Sequence, residues 1–281
     1  MFGVPVPTID DEEIFDALIA AKLAPRRARL RAVRTSILAA YRDYVAAVPE
    51  VADLPKGVLD DEQAEALIHS YEVETKPMAD LRTKLHKPVL LARCPFCGLG
   101  EASTLDHYLP KEQHPQFAVF SRNLIPCCSP CNTRKSKLVV DETTDVRLFL
   151  HPYFDVVPKT SFVRLSVTLL PDALGLSFSL HRSGGMTVKT FQHLQSHFRQ
   201  LRLADRYRTM SLEHLRERRR ALARFYGPAR DAERVAAELL QDAEDFEGDF
   251  GPNHWRAILY RTLAAEEAFC DGGFSVLNRI Q

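Results

Sequence analysis

The chain has 281 residues, enough to bury a core in one domain with appendages or in two small lobes. Its 37 Lys and Arg are balanced by 37 Asp and Glu, and this neutrality argues against a protein that coats DNA tightly without regard to sequence. The first residues carry prolines and an acidic run rather than a signal peptide, and no apolar stretch is long enough to cross a bilayer, so we expect a soluble cytoplasmic protein with no membrane association.

The first fifty residues are predicted to form two helices. Thr8 or Asp10 can cap a helix that begins in the acidic run, because both side chains accept hydrogen bonds from a first helical turn. Pro25 is suited to start a second helix, whose apolar residues recur at helical spacing from Leu30 to Val45. The opposite face of that helix carries five arginines, which either form a solvated face or contact nucleic acid or an acidic partner. They are Arg26, Arg27, Arg29, Arg31 and Arg34.

Two shorter helices are expected between about 60 and Pro88, after a linker that contains proline and glycine. The apolar segment 89–91 then leads into the first cysteines. Five of the six cysteines of the chain fall between Cys94 and Cys131, so a disulfide scaffold is not expected and a reducing compartment fits.

These cysteines form two Cys-x-x-Cys pairs about thirty residues apart: Cys94 with Cys97, and Cys128 with Cys131. Four thiolates in two such knuckles are the ligand set of a closed tetrahedral zinc site, and the double motif favours zinc over a dithiol redox role. Cys127 is an alternative to Cys128, although it would leave three residues rather than two before Cys131. We expect Cys128 to bind the metal and Cys127 to be a small buried neighbour.

Three short segments around the cysteines carry a further motif: Asp106-His107-x-x-Pro110, Asn123-Leu124-x-Pro126 and Cys128-x-x-Cys131-Asn132-x-x-Lys135. Their order and spacing resemble the HNH endonuclease family, over about forty-five residues of this chain. In that family a ββα-metal finger, made of a hairpin and a helix, cuts nucleic acid. The third signature position is an asparagine here rather than a histidine.

The resemblance implies a role for each of four residues. Asp106 and Asn132 would bind a catalytic Mg²⁺ or Mn²⁺, His107 would be the general base, and Asn123 would tie the loop by side-chain hydrogen bonds. The chemistry agrees, because carboxylate and amide oxygens suit hard cations while thiolates suit zinc, and an imidazole suits proton abstraction near neutrality. Adjacent residues of a regular strand face opposite ways, so the strand must end or bulge at Asp106 and His107.

Basic residues outnumber acidic ones by ten to four between Lys76 and Lys137. Within this stretch, five residues either form a solvated face or hold a nucleic-acid backbone. They are Lys111, Arg122, Arg134, Lys135 and Lys137.

The segment His151-Pro152-Tyr153 follows an apolar run just after the finger. It resembles bacterial HNH proteins of phage-defence operons of the Septu type and of some retron systems, in which the nuclease is paired with an ATPase. A β-hairpin is predicted between about 162 and 180, followed by helices to the end of the chain. No phosphate-binding glycine loop occurs, so the ATPase would be a separate partner. A second arginine cluster, at 216–220, is read as a solvated face.

We therefore predict an α+β, mostly α-helical protein in three parts. A helical region spans 1–88, an HNH ββα-metal core with structural zinc spans 89–155, and a β-hairpin followed by a C-terminal helical region spans 156–281. The predicted function is metal-dependent endonucleolytic hydrolysis of DNA, with RNA left open, in anti-phage defence with a partner ATPase. The alternative is a non-catalytic zinc module that binds nucleic acid or protein, which would need the cysteines but not Asp106, His107 and Asn132 together.

Overall fold

A computed structural model describes residues 1–88, 93–144 and 146–279 of the chain. The chain divides into two compact units, Met1–Val157 and Pro158–Gln281. The apolar segment 89–91, expected to lead into the first cysteine pair, lies outside the described residues. The described part of the chain is rich in helix and contains two small antiparallel sheets of two strands each, which confirms the predicted helix-rich α+β class at this level.

The first unit begins with four helices: α1 (Asp11–Ala20), α2 (Arg26–Ala47), α3 (Asp61–Glu72) and α4 (Lys76–His86). Asp10 caps α1 by accepting a hydrogen bond from the backbone N–H of Glu13 at 3.0 Å. Asp60 and Gln63 form a capping box at the start of α3, so the side chain of each satisfies a backbone N–H near the other.

The buried face of α2 differs slightly from its prediction. Leu30, Ile37 and Tyr41 are buried as expected, but Tyr44 is fully buried whereas Val45 is 42% exposed. An α-helix has 3.6 residues per turn, so buried positions spaced four apart move gradually around the helix. A spacing of three brings the next buried residue back to the same face. Tyr44 occupies that position, three residues after Tyr41.

Three arginines of α2 bind carboxylates of neighbouring helices. Arg26 pairs with Glu65 at 2.7 Å and Arg29 with Glu62 at 2.8 Å, both on α3. Arg34 reaches α1, where its guanidinium lies 2.6 Å from Glu12 and 2.5 Å from Asp16. Partly exposed pairs of this kind add little stability. They nevertheless place these three side chains against α1 and α3, so much of the arginine cluster joins helices rather than facing a partner.

The centre of the first unit is a short hairpin followed by a helix. Strands β1 (Thr104–His107) and β2 (Leu124–Cys127) pair antiparallel, with His107 opposite Leu124. A loop over 108–123 joins them, and it contains 3-10 turns at Pro115–Phe117 and Ser121–Asn123. Helix α5 (Ser129–Lys135) follows β2 directly and packs against β1.

The second unit opens with the predicted hairpin, β3 (Val163–Leu169) and β4 (Leu174–Leu180), in which buried and exposed residues alternate. Five helices follow: α6 (Val188–Gln200), α7 (Leu203–Tyr226), α8 (Ala232–Phe250), α9 (Trp255–Ala264) and α10 (Glu267–Cys270). Helix α7 packs on β4, and α8 packs along α9. Among the described residues, every helix is too short or too polar to span a membrane.

Candidate functional site

Four buried cysteines from the two predicted pairs meet in the first unit. The Sγ atoms of Cys94, Cys97, Cys128 and Cys131 all lie within 4.8 Å of one another. The Sγ atoms of Cys97 and Cys128 are 3.7 Å apart. Zinc bound to four thiolates at about 2.3 Å requires sulfurs roughly 3.8 Å apart, because that is the edge of the tetrahedron. The cluster can therefore hold a structural metal ion such as zinc.

The first cysteine pair is shaped by a tight turn. The backbone N–H of Gly98 donates to the carbonyl of Cys94 at 2.8 Å, and the N–H of Cys94 donates to the carbonyl of Gly100 at 2.8 Å. Gly98 has a φ of +71°, a conformation that disfavours other residues. The N–H of Leu99 then points at the Sγ of Cys97 at 3.4 Å, which helps to stabilise a thiolate.

The second pair lies at the junction of β2 and α5. Cys128 is the N-cap of the helix, and the N–H of Cys131 donates to its carbonyl at 3.0 Å. Cys127 is the last residue of β2 and lies outside the four-sulfur group. Its Sγ is 3.5 Å from the Thr104 hydroxyl, and burial raises the pKa of its thiol. The structure thus brings Cys128, and not Cys127, to the other three sulfurs.

The thiols are electrostatically interdependent. Hydrogen bonds from Cys131 and Cys94 lower the pKa of Cys128 to about 7. Burial raises the pKa of Cys94 far above its usual value, because a buried thiolate loses its hydration, and the neighbouring thiols raise the pKa further. A bound dication would remove this conflict by neutralising the thiolates together, so the donor set fits zinc.

A cleft of about 260 Å³ in the same unit brings together three of the residues that the resemblance singled out. Asp106, His107 and Asn132 all line it. His107 is the last residue of β1, which explains how two adjacent residues can face one space. The other lining residues are Tyr71, Leu105, Pro110, Lys111, Glu112, Ser136 and Lys137.

Asp106 is buried, and its closest charged neighbour is Lys135, whose Nζ lies 3.1 Å from Oδ2. Burial raises the pKa of Asp106 to about 6, and the ammonium of Lys135 limits that rise. Lys135 also donates to the carbonyl of His107 at 2.7 Å. It therefore fixes the end of β1 while it partly neutralises Asp106.

The structure corrects the grouping of Lys135 with surface cations. Its side chain is 1% exposed, and its Nζ lies 5.7 Å from the ring centre of Tyr108 and 5.9 Å from that of Phe149. A buried ammonium surrounded by aromatic rings and by Asp106 is not available to a nucleic-acid backbone.

His107 is held as a neutral imidazole in one orientation. Its Nε2 lies 2.8 Å from the carbonyl of Ala118, so Nε2 carries the proton and Nδ1 carries a lone pair. Burial lowers its pKa to about 3. The Tyr71 ring, from α3, meets the imidazole edge to face at 4.2 Å, and the Tyr71 hydroxyl donates to the carbonyl of Leu105 at 3.0 Å.

Asn132 is oriented by its amide group. Its Nδ2 donates to the Thr104 hydroxyl at 3.2 Å and makes a longer contact of 3.4 Å to the carbonyl of Leu105. A carbonyl oxygen can only accept a hydrogen bond, so the carbonyl of Leu105 determines which end of the amide is nitrogen. The amide oxygen is left as the donor atom that Asn132 can offer to a cation in the cleft.

Asn123 does not line the cleft but ties the loop over 108–123. Its Nδ2 donates to the carbonyls of Leu109 and Phe117 at 3.0 and 3.2 Å. Its Oδ1 accepts from the N–H of Leu109 at 2.8 Å. Phe117 precedes Ala118, the residue that holds His107. Asn123 therefore fixes the loop from which His107 is oriented.

Two buried residues from outside the hairpin continue this network. The Tyr44 hydroxyl donates to Asn123 Oδ1 at 3.2 Å and lies 3.0 Å from Nε2 of His151. The Nδ1 of His151 accepts from the N–H of Tyr153 at 3.3 Å, so its Nε2 carries the proton that Tyr44 accepts. His151 is thus a buried structural partner of Tyr44.

The remaining cations of the predicted backbone-binding set differ in their surroundings. Lys111 lies 3.1 Å from Glu72 and 2.8 Å from Glu112, and Arg122 lies 3.8 Å from Asp11. Arg134 and Lys137, on and just after α5, are exposed.

Comparison with known proteins finds one informative similarity. Protein ea31 of Escherichia phage lambda is 31% identical in an alignment of 202 residues that covers 64% of this chain and 64% of that protein. The chain thus spans less than two thirds of the length of that relative, whose name states no activity. No family model matches the chain. No solved structure matches it either.

We predict that Cys94→Ser abolishes zinc binding and unfolds the first unit locally, because metal binding and folding of such a knuckle form one free-energy change of the order of 10 kcal/mol. Metal analysis of the purified chain should give one zinc per wild-type molecule and none per variant. The matched control is Cys127→Ser, which should keep one zinc. A Cys127→Ser protein without zinc, or a Cys94→Ser protein with it, would contradict the four-sulfur assignment.

We predict that Tyr44→Phe loosens the loop over 108–123, because it removes the hydrogen bond that the Tyr44 hydroxyl donates to Oδ1 of Asn123. Loss of one such bond costs about 0.5–1.5 kcal/mol, which is roughly a two- to tenfold increase in amide exchange. Hydrogen exchange of the loop measures this. Tyr41→Phe is the control, since Tyr41 lies one turn earlier on α2 and its buried hydroxyl has no hydrogen-bond partner among the described residues. Equal exchange in both variants would show that the Tyr44 hydroxyl does not hold the loop.

Proposed function

We propose that this protein is a metal-dependent HNH endonuclease that hydrolyses phosphodiester bonds in DNA. The observation that supports this is the convergence of Asp106, His107 and Asn132 on one cleft beside a four-cysteine cluster. In this proposal β1, β2 and α5 form the ββα-metal finger. The cysteine cluster holds a structural zinc, and the cleft receives the scissile phosphate.

His107 would act as the general base. The carbonyl of Ala118 occupies Nε2, so Nδ1 is the atom that would accept a proton from the attacking water. The lowered pKa keeps the imidazole neutral at pH 7, with its lone pair on Nδ1. That lone pair is always available in the resting state, although the lowered pKa makes His107 a weak base.

Asp106 and Asn132 would hold the catalytic Mg²⁺ or Mn²⁺, because their side chains bring oxygen donors to the cleft and hard cations prefer oxygen ligands. When bound, such an ion neutralises charge on the phosphate and on the leaving 3′ oxygen. The raised pKa of Asp106 marks a buried carboxylate that a second cation would stabilise. Products with a 5′ phosphate and a 3′ hydroxyl are expected from the family resemblance.

The role in anti-phage defence with a partner ATPase belongs to the same proposal and is supported by the resemblance around His151-Pro152-Tyr153. Because His151 is fully buried against Tyr44, that segment would support the site rather than contact a partner. Co-purification of the chain from its native cells, followed by identification of any bound ATPase, tests the partner.

We predict that His107→Ala abolishes DNA cleavage while zinc content and fold are kept. Plasmid DNA, single-stranded DNA and RNA would be incubated with protein in Mg²⁺, Mn²⁺ or EDTA, and nicking followed over time. Loss of a general base costs about 10²–10⁴-fold in rate. His86→Ala is the control, because His86 lies on α4, does not line the cleft, and hydrogen-bonds the carbonyl of Arg82 in its own helix.

Two outcomes contradict the proposal. One is metal-dependent cleavage by His107→Ala at the wild-type rate, which would assign the cutting to another site or to a contaminating nuclease. The other is failure of the zinc-loaded wild-type chain to cut any of the three substrates in either metal, which would favour the non-catalytic zinc module instead. That module would still need the four cysteines, but it would tolerate His107→Ala and Asp106→Asn without loss of binding.

A further inference from the structure

The unit that contains the cleft has more acidic than basic residues. Residues 1–157 carry 19 Lys and Arg against 22 Asp and Glu. Five cations of this unit were predicted to bind a nucleic-acid backbone. Of these, Lys135 is buried, and Lys111 and Arg122 lie close to carboxylates. Arg134 and Lys137 remain exposed. Duplex DNA carries one negative charge per about 1.7 Å of its axis, so cations on another part of the chain would add to these two.

The second unit has the opposite balance, with 18 Lys and Arg against 15 Asp and Glu in 158–281. Its cations concentrate on α7. At 100° per residue, the buried side chains of this helix occupy one side, and five arginines lie within about 160° of one another on the other side. The buried set is Leu203, Tyr207, Ser211, Leu215 and Leu222. The arginine face is Arg208, Arg216, Arg219, Arg220 and Arg224.

This arginine face is not neutralised by the acidic helix beside it. Helix α8 is rich in carboxylates, but α7 meets it through Arg218, which pairs with Asp242 on the packed side. Within the described residues, none of the five arginines of the arginine face lies in a salt bridge. Asp205, Glu213 and Glu217 share that side of the helix. Asp205 pairs with Arg202, and the five arginines exceed the other two carboxylates by three charges.

We propose that the arginine face of α7 binds the phosphate backbone of the DNA that the cleft cuts. The inference rests on the proposed nuclease function for the identity of the polyanion. Arg216, Arg220 and Arg224 follow one another at intervals of four residues, or about 6 Å along the helix. Guanidinium groups bind phosphate oxygens in pairs of hydrogen bonds, and such contacts position a duplex without reading its sequence.

An acidic protein segment, or the acidic α8 of a second copy, is a rival occupant of the same face. The charge pattern favours DNA over both, because evenly spaced arginines match a uniform row of phosphates. Binding to a second copy would make the apparent mass of the chain depend on concentration and salt, which separates that case from DNA binding.

The test compares two triple variants at the same positions. In the first, Arg216, Arg220 and Arg224 are changed to Gln, and in the second to Lys. Gln and Lys have nearly the same helix propensity as Arg, so only the first variant changes the charge. Binding to a fluorescent duplex of about 30 base pairs is measured by anisotropy over a range of salt concentrations, without added divalent metal so that no cleavage occurs.

The Gln variant should bind at least tenfold more weakly at about 0.1 M salt. The slope of log K against log salt should shrink by about 3, one counterion for each lost phosphate contact. The Lys variant should keep the wild-type slope, and Glu213→Gln with Glu217→Gln should tighten binding. An unchanged slope in the Gln variant, or no binding by the wild-type chain, overturns the proposal. The proposal is also overturned if the Gln substitutions change the apparent mass of the chain but not its binding to DNA.

Failure of this inference and failure of the nuclease have different signatures. If wild type and His107→Ala both bind DNA through α7 but neither cuts it in Mg²⁺ or Mn²⁺, the arginine face stands and the nuclease falls. If the Gln variant cuts DNA at the wild-type rate and with the wild-type salt dependence, the nuclease stands and the arginine face falls.

Discussion

The first unit depends on one constraint, which is that four sulfurs from two distant segments surround a space the size of a single ion. Cys94 and Cys97 lie before the hairpin, while Cys128 and Cys131 lie at the junction of β2 and α5. The short strands and the seven-residue helix are too small to be stable alone. Holding their ends at the cluster keeps α5 against β1, and that packing places Asn132 beside Asp106.

Buried polar groups also fix the structure of the first unit. Each buried polar group needs a hydrogen-bond partner, so a network of such groups has few alternative arrangements. His151, Tyr44 and Asn123 form a chain of this kind, which ends at the loop carrying the acceptor for His107. Lys135 fixes the backbone of His107 directly, by donating a hydrogen bond to its carbonyl. The imidazole therefore has a fixed orientation although β1 is four residues long.

The spacing of the cysteines predicted the four-sulfur cluster, and the resemblance to the HNH family singled out Asp106, His107 and Asn132, which line one cleft. Local sequence failed to predict contacts that come from helices far away in the chain. Tyr71 packs on His107 from α3, and only the three-dimensional fold brings them together. The burial of Lys135 was missed for a similar reason, since a lysine in a basic stretch is normally solvated. The burial of Tyr44 could have been predicted, because it follows Tyr41 by three residues and therefore lies on the same apolar face of α2.

The formal net charge of zero turns out to be a poor guide to where a polyanion would bind. It averages an acidic unit that holds the cleft and a basic unit that holds the arginine face of α7. Electrostatic attraction acts over about a Debye length, roughly 8–10 Å in physiological salt, so a substrate responds to the local charge rather than to the sum. In the proposed nuclease, Asp106 would attract the catalytic cation in the first unit while the arginine face of α7 would bind the backbone from the second. The metal and the phosphates would then be held by different sets of charges.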